Sequence, residues 1–271
     1  MYNQRKTYAK NTPENLSIKL ALNSTYGNSN NQYSPFYDPQ YTMAITLNGQ
    51  LSLCMLIEDI LELSEASSVQ SNTDGITMKI RKEDSDKADK IVKEWETATK
   101  LEMERNDYSR MHIRDVNNYV AVYAKNGKVK LKGAYVYELE HHKDQSSVVV
   151  QKAVAEHLAT GVSIADYITN HKNKFDFMLR TKVPKSMTLV LVDDNGNETV
   201  QQNVTRYYVS NGKVSGSLIK IMPPVSGKEE NRRAGICVGN KVKVCNNVLD
   251  FSWDIDYSYY ITEAEKLISA F

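Results

Sequence analysis

The densest apolar stretch of the chain comes early. After Asp38-Pro39, the residues Met43, Ile45, Leu47, Leu51, Leu53, Met55 and Leu56 recur too closely to fit one helix face. The segment to about Leu63 therefore predicts a helix that is apolar on most sides and buried. Asp38 is its cap and Pro39 its first residue, where a missing N–H costs nothing. Cys54 is expected as a small core residue within it. The same cap-and-proline pair, Thr12-Pro13, opens an earlier helix. In that helix Lys19, Asn23 and Tyr26 fall at i, i+4 and i+7 and share one face. Gly27 is expected to end it in the left-handed conformation. Residues 84–99 read as an amphipathic helix with Ala88, Ile91, Val92 and Trp95 on one side.

Alternation with period two marks the strands. Ser68 to Ile80 reads as a hairpin turned at Asn72-Thr73-Asp74-Gly75. Leu101-Glu102-Met103-Glu104 reads as a strand with both carboxylates on one face. Asp115 to Tyr123 and Val129 to Tyr135 form a second hairpin, turned by Asn126-Gly127, with Lys128, Lys130 and Lys132 on one face. From Ser146 the pattern returns to helices. One is capped by Ser146-Ser147 and runs through Val150, Val154 and Leu158 to Gly161; another is capped by Ser163 and runs to about Phe175. Short strands follow at Met187–Val192, Thr205–Val209 and Ser217–Met222, then a pair around Cys237 and Cys245. An amphipathic helix from about Asp256 to Ala270 closes the chain and is expected to dock back on this half.

Composition excludes more than it selects. The 271 residues are 41% hydrophobic and 25% charged, an ordinary globular balance that argues against global disorder. No run approaches the eighteen or so apolar residues of a membrane span, and the N-terminus has no apolar leader, so a cytoplasmic location without membrane association is expected. Three cysteines without a CxxC pair make a zinc or disulfide framework improbable. The net charge of +1 leaves nucleic acid open, because a groove needs a local stripe of cations rather than a basic average. Arg206, Lys213, Lys220, Lys228, Arg232 and Arg233 make the second half locally basic. They fit a phosphate-tracking surface and scattered surface charge equally well.

On the residues alone, Lys19 also fits a solvated stem and Tyr26 a half-buried ring. The whole string Lys19-x3-Asn23-Ser24-x-Tyr26-Gly27, however, resembles the fingers-helix motif of family B DNA polymerases at each defining position. The resemblance implies that Lys19 grips the triphosphate of an incoming nucleotide while Asn23 and Tyr26 line its pocket. An ammonium suits phosphate, and a flat rigid ring can back a base pair without reading it. The 72–75 turn resembles the family's second palm motif, D-T-D plus a small residue, with Asn72 replacing the first aspartate and Asp74 kept as the metal-binding one. Tyr119 matches the tyrosine of the K-x-Y primer motif, although Asn117 stands where its lysine is expected. In the family a following lysine before glycine contacts the template duplex, and Lys130 and Lys132, the latter just before Gly133, are expected to compensate for the rewritten primer grip; Arg206, from the basic second half, is expected at DNA as well. Glu102 is assigned to the family's acidic residue near the metals, a position that a solvated strand face fits at least as well.

The resemblance implies an α+β fold. Residues 1–27 are the end of the fingers helix, 28–140 a palm with an antiparallel sheet and packed helices, and 141–271 a helical and β thumb. The implied reaction is template-directed nucleotidyl transfer to a primer 3′-hydroxyl, with Mg2+ as cofactor and with primer-template DNA and deoxynucleoside triphosphates as partners. The two-metal mechanism requires a further aspartate from a D-x-x-S-L-Y-P motif that this sequence lacks. The nearest acidic-aromatic cluster, Asp250-Phe251-Ser252-Trp253-Asp254, lies at the wrong end. The expectation is therefore a C-terminal polymerase part, phage-like, inactive without an N-terminal partner, and cytoplasmic, in the host cytoplasm if viral. Its initiating Met1 suggests a separately translated half or a truncated gene. The missing aspartate and the exonuclease would come from an N-terminal half. Two alternatives stay open: an inactive fragment or DNA-binding module that does not need Asp74, and a structural interaction protein that binds neither DNA nor nucleotide.

Overall fold

The computed structural model describes residues 1–138, 143–224 and 230–269. The chain divides into two compact units, Met1–Arg105 and Asn106–Phe271. Together they are of mixed α+β class, and the named strands among the described residues pair antiparallel.

Unit 1 begins with a short helix α1 (Tyr2–Lys6), followed by α2 (Pro13–Ser29) and α3 (Pro39–Leu61). Both long helices start as their sequence dictates. The Thr12 hydroxyl accepts from Asn15 N and the Asp38 carboxylate from Tyr41 N, with proline at the first position. Contrary to expectation, α2 does not stop at Gly27 but continues to Ser29. Contacts made further along set its end: Ser29 O accepts from Asp38 N at 2.8 Å, and Ser29 Oγ lies 2.7 Å from Thr42 Oγ1. Tertiary partners satisfy the last turn, so no left-handed glycine is needed there.

The hairpin β1 (Ser67–Ser71) and β2 (Ile76–Lys79) then leads through a 3-10 turn into α4 (Ser85–Thr99). Leu53, Leu56 and Ile60 of α3 meet Trp95 of α4 in a small core that Ile76, Met78, Ile91 and Val92 complete. The Trp95 indole N–H donates to Ser52 O at 2.7 Å, so the ring is buried without losing its polar partner. Buried Asp84 takes Arg81 and Lys87 at 2.8 Å each, and these two cations hold its carboxyl below the usual range, Lys87 foremost.

The burial expected for the whole of α3 holds only near its C-terminal end. Met43, Leu47, Leu51 and Met55 are each at least half exposed, and Cys54 is exposed rather than core. By length and composition α3 is apolar enough to cross a membrane, which corrects the expectation that no segment reaches that threshold. Composition sets how apolar a helix is, whereas burial depends on how much other chain is present to cover it. The segment 101–104, expected as a strand, is irregular. Its carboxylates turn to separate lysines: Glu102 to Lys6 and Glu104 to Lys10.

Unit 2 opens with a meander of β3 (Tyr108–Asp115), β4 (Asn118–Tyr123) and β5 (Val129–Lys132). The sequence reading placed Asp115–Asn117 at the head of a strand. In fact the Asp115 carboxylate accepts from Asn117 N and Asn118 Nδ2, which closes a turn between β3 and β4. Gly127 turns the next connection at φ 66°. Gly133 follows β5 at φ 62°, where a Cβ would strike the Asn118 side chain and Asn117 O, so glycine is required. Lys128 falls in the turn before β5 instead of joining Lys130 and Lys132 on the strand.

Next come α5 (Val148–Thr160) and α6 (Ile164–Asn170). Gly161 ends α5 at φ 85° as its type predicts, and Ser163 caps α6 through Asp166 N. Ser147 precedes α5 in a left-handed conformation without a side-chain cap. The remaining strands are β6 (Leu179–Lys182), β7 (Thr188–Val192), β8 (Glu198–Gln201), β9 (Val204–Val209), β10 (Ser217–Met222), β11 (Arg232–Ile236) and β12 (Val242–Val244). They form two sheets, ordered β11-β10-β7-β8 and β12-β9-β6. The strands before Cys237 and Cys245 therefore lie in different sheets rather than pairing with each other. The last helix, α7 (Tyr257–Ile268), packs on α5 and α6 as expected. Its Tyr260 is fully buried, donating to Phe177 O at 2.7 Å and accepting from Val209 N at 3.0 Å. One core joins Val149 and Val154 of α5, Ile168 of α6, Tyr208 of β9, Leu218 of β10 and Phe177.

Candidate nucleotide and nucleic-acid faces

In unit 1, Lys19, Asn23 and Tyr26 lie along one face of α2, and all three are exposed. The Tyr26 hydroxyl is 3.2 Å from Thr46 Oγ1 of α3, which holds the ring at the border of the two helices. The face presents an ammonium, an amide and a phenol to solvent, a set able to bind phosphate and a flat base.

Asp74 lies at the exposed tip of the β1–β2 hairpin. The four residues 72–75 connect paired Ser71 and Ile76, and Asn72 N donates to Gly75 O at 2.9 Å. Asn72 Oδ1 accepts from Asp74 N at 3.2 Å. The Asn72 side chain thus acts within the turn, in a role an aspartate can also fill. Glu102 is engaged elsewhere. Lys6 Nζ is 2.8 Å from both of its carboxylate oxygens, and the Tyr2 hydroxyl donates to it at 3.3 Å. Its carboxyl is held below the ordinary range, first by Lys6, whose own pKa is raised in return. Among the described residues no group of three or more His, Cys, Asp and Glu side chains could hold a metal ion. Asp74 thus supplies one open carboxylate, and this chain's described side chains do not complete a two-magnesium site.

In unit 2 the β3–β4–β5 sheet brings Tyr119 and Lys130 together and places Lys132 across from Tyr119 in the ladder. Lys130 Nζ donates to the Tyr108 hydroxyl at 3.0 Å and sits over the rings of Tyr108, at 5.6 Å, and Tyr119, at 6.0 Å. The Tyr108 hydrogen bond raises the Lys130 pKa against the opposing effect of burial, so the side chain stays charged. Tyr123 packs 5.1 Å from Tyr108 and completes a tyrosine cluster around one cation. Sequence reasoning missed Tyr108 because β3 went unread. The alternating Met111 and Ile113 were its available signal, and both face the same side as Tyr119 and Ala121. Lys132 is exposed.

The other basic residues do not form one set. Arg206 is on β9 at the rim of a cavity, Arg233 pairs with Glu198 at 2.5 Å, and Lys228 lies outside the described residues. Compared with known proteins, the chain matches no family model and no curated protein.

Proposed function

We propose that this chain is the C-terminal part of a family B-like DNA-directed DNA polymerase, which adds nucleotides to a primer only together with an N-terminal part. The observation that carries the reading is the tip of the β1–β2 hairpin, where Asp74 stands exposed while the Asn72 side chain is used to build the turn. The exposed Lys19, Asn23 and Tyr26 on one face of α2 support it, with Lys19 assigned to the nucleotide triphosphate. In unit 2, Tyr119, Lys130 and Lys132 are assigned to primer-template DNA, and Arg206 to the same backbone. Magnesium supplies charge neutralisation of the phosphates when bound. Asp74 would contribute one ligand to it, the N-terminal part the others. Glu102, already paired with Lys6, is left out of the assignment.

Primer extension by the chain alone and by the chain mixed with the N-terminal part tests the reading. Extension is expected only from the mixture. There Asp74→Ala abolishes it, and Asn72→Asp, which keeps the acceptor for Asp74 N, is tolerated. Lys19→Ala lowers the efficiency of nucleotide use by one to two decades, the about 1.5–3 kcal/mol of a charged contact, and leaves DNA affinity in place. Robust extension by the isolated chain, or normal extension with Asp74→Ala, refutes the assignment.

A further inference from the structure

Unit 2 contains a cavity of about 530 Å³, and of its lining the polymerase reading uses Arg206 alone. Its floor is apolar: Val148 from the start of α5, Met178 and Cys245 are buried there. One wall carries the buried carboxylate of Asp176, which is already neutralised. Lys152 Nζ lies 2.8 Å and His171 Nε2 2.6 Å from the same oxygen, Oδ2. Lys152 also sits 5.6 Å from the centre of the Tyr137 ring, and Tyr137 and Phe175 add aromatic surface at the mouth.

The rim is donor-rich. The Arg206 main chain is pinned, its N donating to Asn246 Oδ1 at 2.9 Å and its O accepting from Cys245 N at 2.8 Å. The Arg206 guanidinium makes no ion pair or hydrogen bond among the described residues, and the Asn246 amide protons are equally uncommitted. An unpaired guanidinium beside a free amide, at the edge of an apolar recess, matches an anionic head on an apolar body. The volume fits small molecules, whose pockets run from about 300 to 1,000 Å³. Glu138 at the rim opposes a second negative group.

We propose that this cavity binds a small organic anion carrying one phosphate or carboxylate group on an aromatic or apolar body. Arg206 and Asn246 hold the anionic head, and Val148, Met178 and Phe175 receive the body.

The test uses the full chain and three probes, phenyl phosphate, benzoate and inorganic phosphate, with affinity read by ligand-observed NMR. At least one of the two aromatic anions binds ten times more tightly than inorganic phosphate or more, and which of them binds better identifies the head group. Arg206→Ala weakens that binding at least tenfold. Phe175→Ala, at an exposed position, weakens it severalfold while leaving inorganic phosphate unchanged. Aromatic anions that bind no better than inorganic phosphate, or as well to Arg206→Ala as to the native chain, overturn the proposal. Arg206 is also assigned to DNA above, so its variant is tested on primer-template in parallel. Lost DNA affinity with intact phenyl phosphate and benzoate binding overturns the cavity site and leaves the polymerase reading standing. Lost binding of the aromatic anions with intact DNA affinity supports the cavity site and removes Arg206 from the DNA face.

Discussion

Lys130 and Lys132 are two residues apart on β5 and both assigned to DNA, yet replacement by alanine should cost stability at Lys130 only. Lys130 is tied down, with a hydrogen bond to the Tyr108 hydroxyl and two rings within 6.0 Å. A hydrogen bond of this kind is worth about 1 kcal/mol once discounted for solvent, and each cation–π contact about 0.5 kcal/mol at a partly exposed site. Lys130→Ala should therefore cost about 2 kcal/mol. For a unit of this size that lowers Tm by roughly 4–8 °C. Lys132 is exposed, and its replacement should change stability by less than about 0.5 kcal/mol. On the proposed reading its effect should appear on DNA instead. Neutralising one phosphate contributes about 0.9 to the slope of log affinity against log salt, or roughly eightfold in affinity at 0.1 M salt. Thermal unfolding followed by circular dichroism, and fluorescence anisotropy on primer-template between about 50 and 200 mM salt, separate the two effects. A Tm unchanged in Lys130→Ala would refute the account of the tyrosine cluster. A salt slope unchanged in Lys132→Ala would remove this hairpin from the DNA interface.

Two further outcomes are expected. Gly133→Ala forces a Cβ into Asn118 and a side chain into positive φ, and it displaces the Asn118 Oδ1 that accepts from Ala134 N at 2.8 Å. Strain and the lost bond together should cost about 2–4 kcal/mol in urea unfolding, whereas Gly49→Ala, with open space around it, should cost nothing measurable or slightly stabilise. For pH, Lys87 and Arg81 depress the Asp84 carboxyl below its ordinary value of 3.8. A depressed carboxyl contributes stability that is fully present above pH 3.8 and lost as pH falls through the lower folded value. Arg81→Met should move the acid unfolding of unit 1 to higher pH, and the same midpoint in both proteins would show that the cluster contributes nothing.

Local chemistry was the legible part of the fold. Thr12, Asp38, Ser163 and Asp256 each cap the helix they were expected to start, and the turns at Asp74-Gly75 and Asn126-Gly127 connect the strands they were expected to connect. These features need only neighbours within a few residues. The misreadings have more than one cause. Gly27 lies inside α2 because Asp38 and Thr42 satisfy that helix's end. In residues 101–104 the Met103 N–H donates to the Glu96 side chain at 2.8 Å rather than to a strand ladder. Asp115–Asn117 forms a turn because the Asp115 carboxylate accepts from Asn117 N and Asn118 Nδ2, a local device that strand periodicity does not show. The candidate site divides in the same way. The helical spacing of Lys19, Asn23 and Tyr26 was readable from numbers alone, but the enclosure of Lys130 by Tyr108 and Tyr119 depends on a strand pairing that periodicity does not display.

On the proposed polymerase reading unit 1 has two shortfalls, and one cause would account for both. Its hairpin tip offers one carboxylate where two-metal chemistry needs several. Its helix α3 leaves Met43, Leu47, Leu51 and Met55 exposed at four-residue spacing along one side. Covering those four would stabilise by about 1 kcal/mol each, since each is roughly half buried already. An N-terminal part that packs on α3 and brings its own aspartate would remedy both at once, so the two effects should appear together. On titrating that part into the chain, hydrogen exchange should slow at the α3 amides between Tyr41 and Leu51. Magnesium binding that disappears with Asp74→Ala should emerge at the same stoichiometry. Protection of α3 without Asp74-dependent magnesium binding would identify the face as an interface unrelated to catalysis. If neutral lipid vesicles protected α3 where the N-terminal part did not, its length and apolarity would instead mark a membrane-seeking helix, and the two-part polymerase reading would lose its structural basis.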